Sequence, residues 1–235
     1  MNYALIGGNT NWSKTLIKNF NFQKFKLKFT SSRYIKRKNN FIDYKKIPLD
    51  KIDFIVLCSD AKRNIEAAKY FAFKKVPIFI EKPISNSYNN FKKFKKIINL
   101  NTIYFCDYLH IYSDPIQKLK KKIKKEKVIS IKLIFGKKGK ERKINSSYEW
   151  LPHPLSVLFY LKNYKYTDSI IKYSKFKNKK KTNLKISYLK KKFEVFVYSG
   201  NNFTTTKYIV DIKTDKNRYV YDGTRPTKLR INSKL

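Results

Sequence analysis

The chain has 235 residues, enough for one large domain or two small ones. Its 42% hydrophobic and 16% aromatic content excludes a disordered chain, because that much apolar surface can be buried in a real core. The net charge of +39 points toward polyanions, yet only seven of the basic residues are arginines, and the lysines are spread along the chain rather than gathered in one stripe. Lys, Asn, Ile, Tyr and Phe are inflated together, the joint bias that an AT-rich genome imposes. Nucleic-acid binding is therefore kept only as an alternative reading. The milder expectation is a positive field that draws in small anionic molecules. Apolar runs reach about five residues, as in 54–58, far short of a membrane span. Residues 1–8 carry no basic leader, so a cytoplasmic protein with no membrane partner is expected. Cys58 and Cys106 lie in apolar, strand-like runs and read as reduced core residues.

In chain order, residues 3–6 predict a short strand. A turn at 9–11 leads to a helix over 12–20, with Trp12, Leu16, Ile17 and Phe20 on one face. Strands follow at 25–30 and 51–59, the latter with the buried run 54–58. Asp60 then caps a helix over 61–73. The strand at 76–80 runs into Glu81-Lys82-Pro83. A helix over 87–100 turns Phe91, Phe94, Ile97 and Ile98 inward, and 102–106 is a further strand. Strands alternating with helices of about 12 residues mean right-handed βαβ units and a doubly wound parallel sheet.

The second half reads differently. After a helix over 114–125, strand patterns occupy 128–135, 170–176, 183–189, 193–198, 205–213 and 218–221, interrupted by a helix over 152–161. Turns fall at 199–201 and 215–217, and the lysine runs 120–125 and 177–181 read as solvated surface. The fold class is thus α/β: an N-terminal doubly wound parallel sheet of the Rossmann type, then an α+β domain with a mainly antiparallel open sheet. The boundary falls between 106 and 114, giving domains 1–108 and 109–235.

Three segments carry a resemblance over residues 3–162. The first is Leu5-Ile6-Gly7-Gly8-Asn9-Thr10-Asn11-Trp12-Ser13-Lys14, a strand–glycine turn–helix. The second is VPIFIEKPIS at 76–85, and the third is YEWLPHPLSVLFYL at 148–161. With CDYLHIYSDPIQKLKKKI from Cys106, their order and spacing resemble the glucose-fructose oxidoreductase and inositol dehydrogenase family, Gfo/Idh/MocA. That resemblance implies an NAD(P)-dependent oxidoreductase, transferring a hydride between nicotinamide and a secondary alcohol of a sugar, sugar nucleotide or cyclitol. It implies a small sugar-like partner, and a homo-oligomer formed through the C-terminal sheet.

It also implies roles. Lys82 would bind the substrate oxygen, His153 would act as general base and Glu149 would orient it, with His110 lining the substrate site. Lys82 and His153 are expected to flank one cleft. Gly8, Thr10, Asn11, Trp12, Ser13, Ser59, Glu81 and Lys82 would face the cofactor. At the end of the second strand an NAD enzyme usually carries Asp or Glu. Here Thr30-Ser31-Ser32-Arg33 stands instead, so Ser31, Ser32 and Arg33 favour NADP over NAD.

The departures are specific. In the glycine fingerprint only Gly8 is kept of the register Gly8-x-Thr10-x-x-Ser13. Where the family pattern is Asp-x-Gly-x-His-x-x-Asp, this chain has Glu149, Leu151, His153 and Ser156. A catalytically inactive NAD(P)- or sugar-binding relative is the alternative these departures suggest.

Overall fold

The computed structural model describes residues 1–34, 38–98, 102–139, 146–161, 169–175, 181–188 and 193–232. The chain divides into two compact units, Met1–Asp107 and Tyr108–Leu235.

In the first unit, β1 (Asn2–Gly7), β2 (Lys26–Ser31), β3 (Asn40–Phe41), β4 (Phe54–Cys58), β5 (Ile78–Ile80) and β6 (Tyr104–Cys106) form one sheet in the order β3-β2-β1-β4-β5-β6. Every neighbouring pair is parallel. The chain runs outward from β1 in one direction, then returns to its other side with β4, so the topological switch lies between β1 and β4. Helices α1 (Asn11–Phe22), α2 (Ala61–Phe73) and α3 (Tyr88–Ile98) make the crossovers.

Successive strand residues point to opposite faces, and both faces are buried. Ala4, Ile6, Ile55, Leu57, Ile78 and Ile80 meet Ile65, Ala68 and Phe71 of α2 and Phe94 of α3. Tyr3, Leu5, Val56 and Cys58 meet Leu16 of α1, with Ile17 and Phe20 beside it. Asp60 caps α2 as predicted, its Oδ1 accepting from Arg63 N at 3.0 Å. Cys58 is buried and Cys106 half-buried, both as free thiols.

Three expectations for this unit change. Phe91 is 38% exposed while Phe94 is 1% exposed: among the described side chains of α3, Phe94 carries the packing, against α2 and Tyr104 of edge strand β6. The side chains of Ile97 and Ile98 lie outside the described residues. Trp12 is 36% exposed rather than inward with Leu16: its indole turns to the carboxyl edge and donates to Glu81. Strand β3 is new, two residues being too short for any periodicity to register.

In the second unit, α4 (Asp114–Ile123), β7 (Val128–Lys138), α5 (Ser146–Trp150) and α6 (Pro152–Leu161) precede β8 (Ser169–Lys175), β9 (Lys181–Tyr188), β10 (Phe193–Gly200), β11 (Asn202–Thr214), β12 (Arg218–Asp222) and β13 (Leu229–Ile231). The sheet order is β13-β12-β11-β7-β10-β9-β8. It is antiparallel except at its centre, where β7 and β10 run parallel. The elements inserted after β7 form the long crossover that a parallel pair requires.

One face is covered: Ile131, Leu133, Phe135, Val195, Val197, Val210 and Ile212 pack on Ile116 and Leu119 of α4 and on Val157, Leu158 and Leu161 of α6. The predicted turn at 199–201 is tighter than expected, since Ser199 and Gly200 belong to β10 and Asn201 alone separates it from β11. Strand β13 and helix α5 add to the sequence reading. The side chains of β8 and β9, the lysines at 177–181 and the predicted strand ends at 176 and 189 lie outside what is described.

Candidate active site

Parallel strands align their carboxyl ends at one edge, and the first group of predicted site residues collects there. Gly7 pairs with Cys58 of β4, Leu57 with Ile80 of β5, and Ile80 with Cys106 of β6. The loops that follow therefore bring Gly8 to Ser13, Ser59, Glu81, Lys82 and Asp107 to the same edge. Gly7 and Gly8 both take left-handed backbone, φ 106° and 97°. A Cβ on Gly7 would lie 2.3 Å from the Cys58 carbonyl oxygen, so that position admits only glycine.

The two missing glycines are replaced by a capping box. Thr10 Oγ1 accepts from Ser13 N at 3.1 Å and Ser13 Oγ accepts from Thr10 N at 3.0 Å. Ser13 is fully buried and fits the close approach of helix to strand. The Thr10 hydroxyl is engaged with Ser13 rather than projecting as a free phosphate donor. The backbone N–H groups of Asn11 and Trp12, in the first turn of α1, have no partner within the helix and suit an anion. This cradle of two left-handed glycines under a helix N-terminus fits a dinucleotide pyrophosphate.

Across the edge, the Trp12 indole donates to Glu81 Oε1. Glu81 and Asp107 are the first residues beyond adjacent strands, each donating its backbone N–H to the strand beside it, Leu57 O at 2.9 Å and Ile80 O at 3.0 Å. Their carboxyls are buried side by side, 7% and 4% exposed. Burial, with Asp107 next to it, pushes the Glu81 carboxyl up to about 9. At neutral pH it carries a proton and can donate to Asp107. Lys82 follows, half-buried, with its bond to Pro83 cis and its charge acting on Glu81. Burial likewise pushes the Cys58 thiol up to about 12, leaving it an inert core group. The Ser59 turn is pinned by Asn64, which accepts from Ser59 N at 2.9 Å and donates to Ser59 O at 3.2 Å.

At the end of β2, Thr30, Ser31 and Ser32 are buried and Arg33 is exposed. Asn40, which the sequence reading passed over, organises this turn: its Oδ1 accepts from Thr30 Oγ1 at 2.8 Å and Ser32 N at 3.0 Å. Arg63, from the first turn of α2, donates from Nη2 to Ser31 Oγ at 2.9 Å and to Ile42 O at 3.2 Å.

The second group lies in the second unit. The chain has two histidines, and they meet edge to face, ring centroids 5.3 Å apart. His153 enters from the first turn of α6 and is 8% exposed. His110 sits in a single 3-10 turn, Leu109–Tyr112, and also packs on Phe135 at 4.9 Å and Tyr208 at 5.0 Å. Trp150 closes the cluster 5.9 Å from His153. Its indole donates to Asn201 Oδ1 at 2.5 Å, and Asn201 Nδ2 donates to Glu149 Oε2 at 3.4 Å. Asn201 is thus a second residue the sequence reading missed. It holds Trp150 and the buried Glu149 on the helical turn that leads into His153. Its place depends on Gly136, where a Cβ would lie 2.4 Å from the Gly200 carbonyl oxygen. Ser156 bonds back along its own helix, donating to His153 O at 2.8 Å.

A cavity of about 610 Å³ lies elsewhere, on the uncovered sheet face beside Lys132, Asp211, Lys213 and Arg218, and holds none of these residues. Among the described residues no group of three or more His, Cys, Asp or Glu could hold a metal. None of their helices is long and apolar enough to cross a membrane.

No protein-family model matches the sequence, and no curated protein matches it in sequence. Solved structures do match. An oxidoreductase from Sinorhizobium meliloti superimposes with a TM-score of 0.86 at 11% identity, over 98% of this chain and 74% of its own. An inositol dehydrogenase homolog from Azotobacter vinelandii, complexed with NADH and myo-inositol, gives 0.83 at 10% identity, over 100% and 73%. The UDP-N-acetylglucosamine 3-dehydrogenase of Acidithiobacillus ferrooxidans gives 0.81 at 11% identity, over 98% and 79%. The chain has the fold of these oxidoreductases and dehydrogenases: a doubly wound α/β unit followed by a mixed-sheet unit.

Proposed function

We propose that this chain is a nicotinamide-dependent oxidoreductase acting on a secondary alcohol of a sugar, sugar nucleotide or cyclitol. The observation that carries the reading is the carboxyl edge of the parallel sheet. There, a position closed to any side chain and a helix N-terminus with free N–H groups lie at the topological switch, and Lys82 beside a protonated Glu81 follows on the same edge, joined to that helix by the Trp12 contact. When bound, the nicotinamide supplies the hydride acceptor. Lys82 holds the carbinol oxygen and stabilises the charge that develops on it. His153 takes the hydroxyl proton as the carbinol becomes a carbonyl. Glu149 acts through the Asn201 and Trp150 contacts, positioning the turn that presents His153. The fold likenesses support the reading: one matched protein is complexed with NADH and myo-inositol, and another is a sugar-nucleotide dehydrogenase.

The test is turnover on a panel of sugars, cyclitols and sugar nucleotides with NAD and NADP. Lys82→Ala and His153→Ala are each expected to lower kcat at least about a hundredfold. His153→Ala should keep dinucleotide affinity, measured by calorimetry. A second reading, a ligand-binding relative without turnover, is favoured by Ser156, which stands at a family carboxylate position and, among the described residues, bonds to its own helix. It predicts dinucleotide binding with no turnover on any of the panel.

A further inference from the structure

Arg63 is placed as a recognition group, and among the described residues no acid pairs with its side chain. A guanidinium has five N–H donors in a planar fork. The two bonds that fix it, to Ser31 Oγ and Ile42 O, both use Nη2. Nε and Nη1 donate to no atom among the described residues, and no carboxylate there forms an ion pair with it. Acids lie around it without pairing to its side chain: Asp60 Oδ1 accepts from the backbone N–H of Arg63 at 3.0 Å. Asp43 Oδ1 accepts from Lys45 N at 3.0 Å to start a 3-10 turn, and Glu66 lies one turn further along α2. The side chain is half-buried, so its charge is not simply spread into water.

The position gives this its meaning. Ser31 is the last residue of β2, where a dinucleotide fold places the ribose of the adenosine half. A carboxylate there accepts from the ribose 2′-hydroxyl and repels a phosphate. Here the sequence supplies hydroxyls, and the fold lays a cation on Ser31, the middle one.

We propose that Arg63 reads a phosphomonoester on the adenosine ribose, making NADPH rather than NADH the cofactor. The inference rests on the dinucleotide reading above and goes beyond it by naming the residue that discriminates. With Nη2 taken up by Ser31 and Ile42, Arg63 offers a dianionic phosphate a charge-assisted bond from Nη1 or Nε, on a guanidinium already fixed in place. Arg33, exposed at the same turn, contributes less because no described contact fixes it.

The experiment measures affinity by calorimetry for four ligands: NADPH, NADH, 2′,5′-ADP and 5′-ADP. The two short ligands carry the phosphate question without the nicotinamide. Wild type should bind 2′,5′-ADP and NADPH well ahead of 5′-ADP and NADH. Arg63→Ala should weaken the 2′-phosphorylated pair about ten- to a hundredfold, the scale of a charge-assisted hydrogen bond, and leave the others within about twofold. Arg63→Lys should recover part of that loss. A uniform weakening of all four ligands, or a lowered thermal midpoint with selectivity unchanged, would show Arg63 to be only a strap between α2 and β2 and would overturn the inference. So would a wild-type preference for NADH. Wild-type protein that binds none of the four would overturn the dinucleotide reading itself, a result distinct from loss of selectivity alone.

Discussion

The two sheets bury their strands in different ways. In the parallel sheet, consecutive residues of β4 are sealed on opposite faces, Val56 under α1 and Leu57 under α2, each fully buried. In the mixed sheet, Leu133 of β7 is fully buried while its neighbour Lys132 is exposed. A sheet packed on both faces leaves only its edge for chemistry, so the first candidate site is made of loops at the carboxyl ends. A sheet packed on one face sets side chains between itself and its helices, and the second group, the histidine cluster, is assembled that way. The first group is built largely from backbone: left-handed glycines, helix N–H groups and strand ends. The second is built from rings contributed by distant segments.

The largest effects should come from breaking this contrast directly. Leu57→Ala and Leu133→Ala should each cost about 2–5 kcal/mol in urea unfolding. Val56→Ala should be clearly destabilising, whereas Lys132→Ala should stay within about 0.5 kcal/mol. If Lys132 proved as sensitive as Val56, the uncovered face would not be uncovered. Next comes Gly7→Ala, which meets the Cys58 carbonyl and an adverse φ together. A loss of about 3 kcal/mol, with loss of dinucleotide binding, is expected. A neutral outcome would remove the argument for the cradle.

Asn201→Ala should cost about 1–3 kcal/mol by stranding the Trp150 indole N–H. It should also shift the pH profile of turnover through the turn that carries His153, a change that simple loss of packing would not produce.

A further effect is a slope. The folded Glu81 holds its proton to higher pH than the unfolded chain does, so the native state binds more protons across that interval. The stability it contributes is complete below the ordinary carboxylate range and declines as pH rises toward about 9. Glu81→Gln should flatten that part of the stability curve without abolishing folding, as measured by urea midpoints across the pH series. An unchanged slope would mean the proton is not held there.

Much of this was legible in the residues. The run 54–58 is β4, Asp60 caps α2, and the helix over 152–161 is α6 with its predicted bounds. Each is decided within a few residues by periodicity, a capping side chain or a proline at a helix start. Trp12 was placed wrongly because periodicity put it on the face of Leu16, whereas its indole is drawn to the Glu81 carboxyl, a partner 69 residues away. Strands β3 and β13 are too short to carry a period, and the parallel pairing of β7 with β10 depends on a crossover whose path no local pattern records.

By itself the sequence determined the two kinds of sheet, the glycine turn, the strand leading into Glu81 and Lys82, and the helix that bears His153. These follow from local propensity and alternation, which act over a turn of helix or a pair of strand residues. Only the tertiary structure decided which of these groups meet. Ser31 and Arg63 are 32 residues apart, Trp12 and Glu81 69, Asn201 and Trp150 51. Such pairs form because burying the faces of a sheet fixes where its loops emerge, and that placement is a property of the packed core rather than of any segment within it.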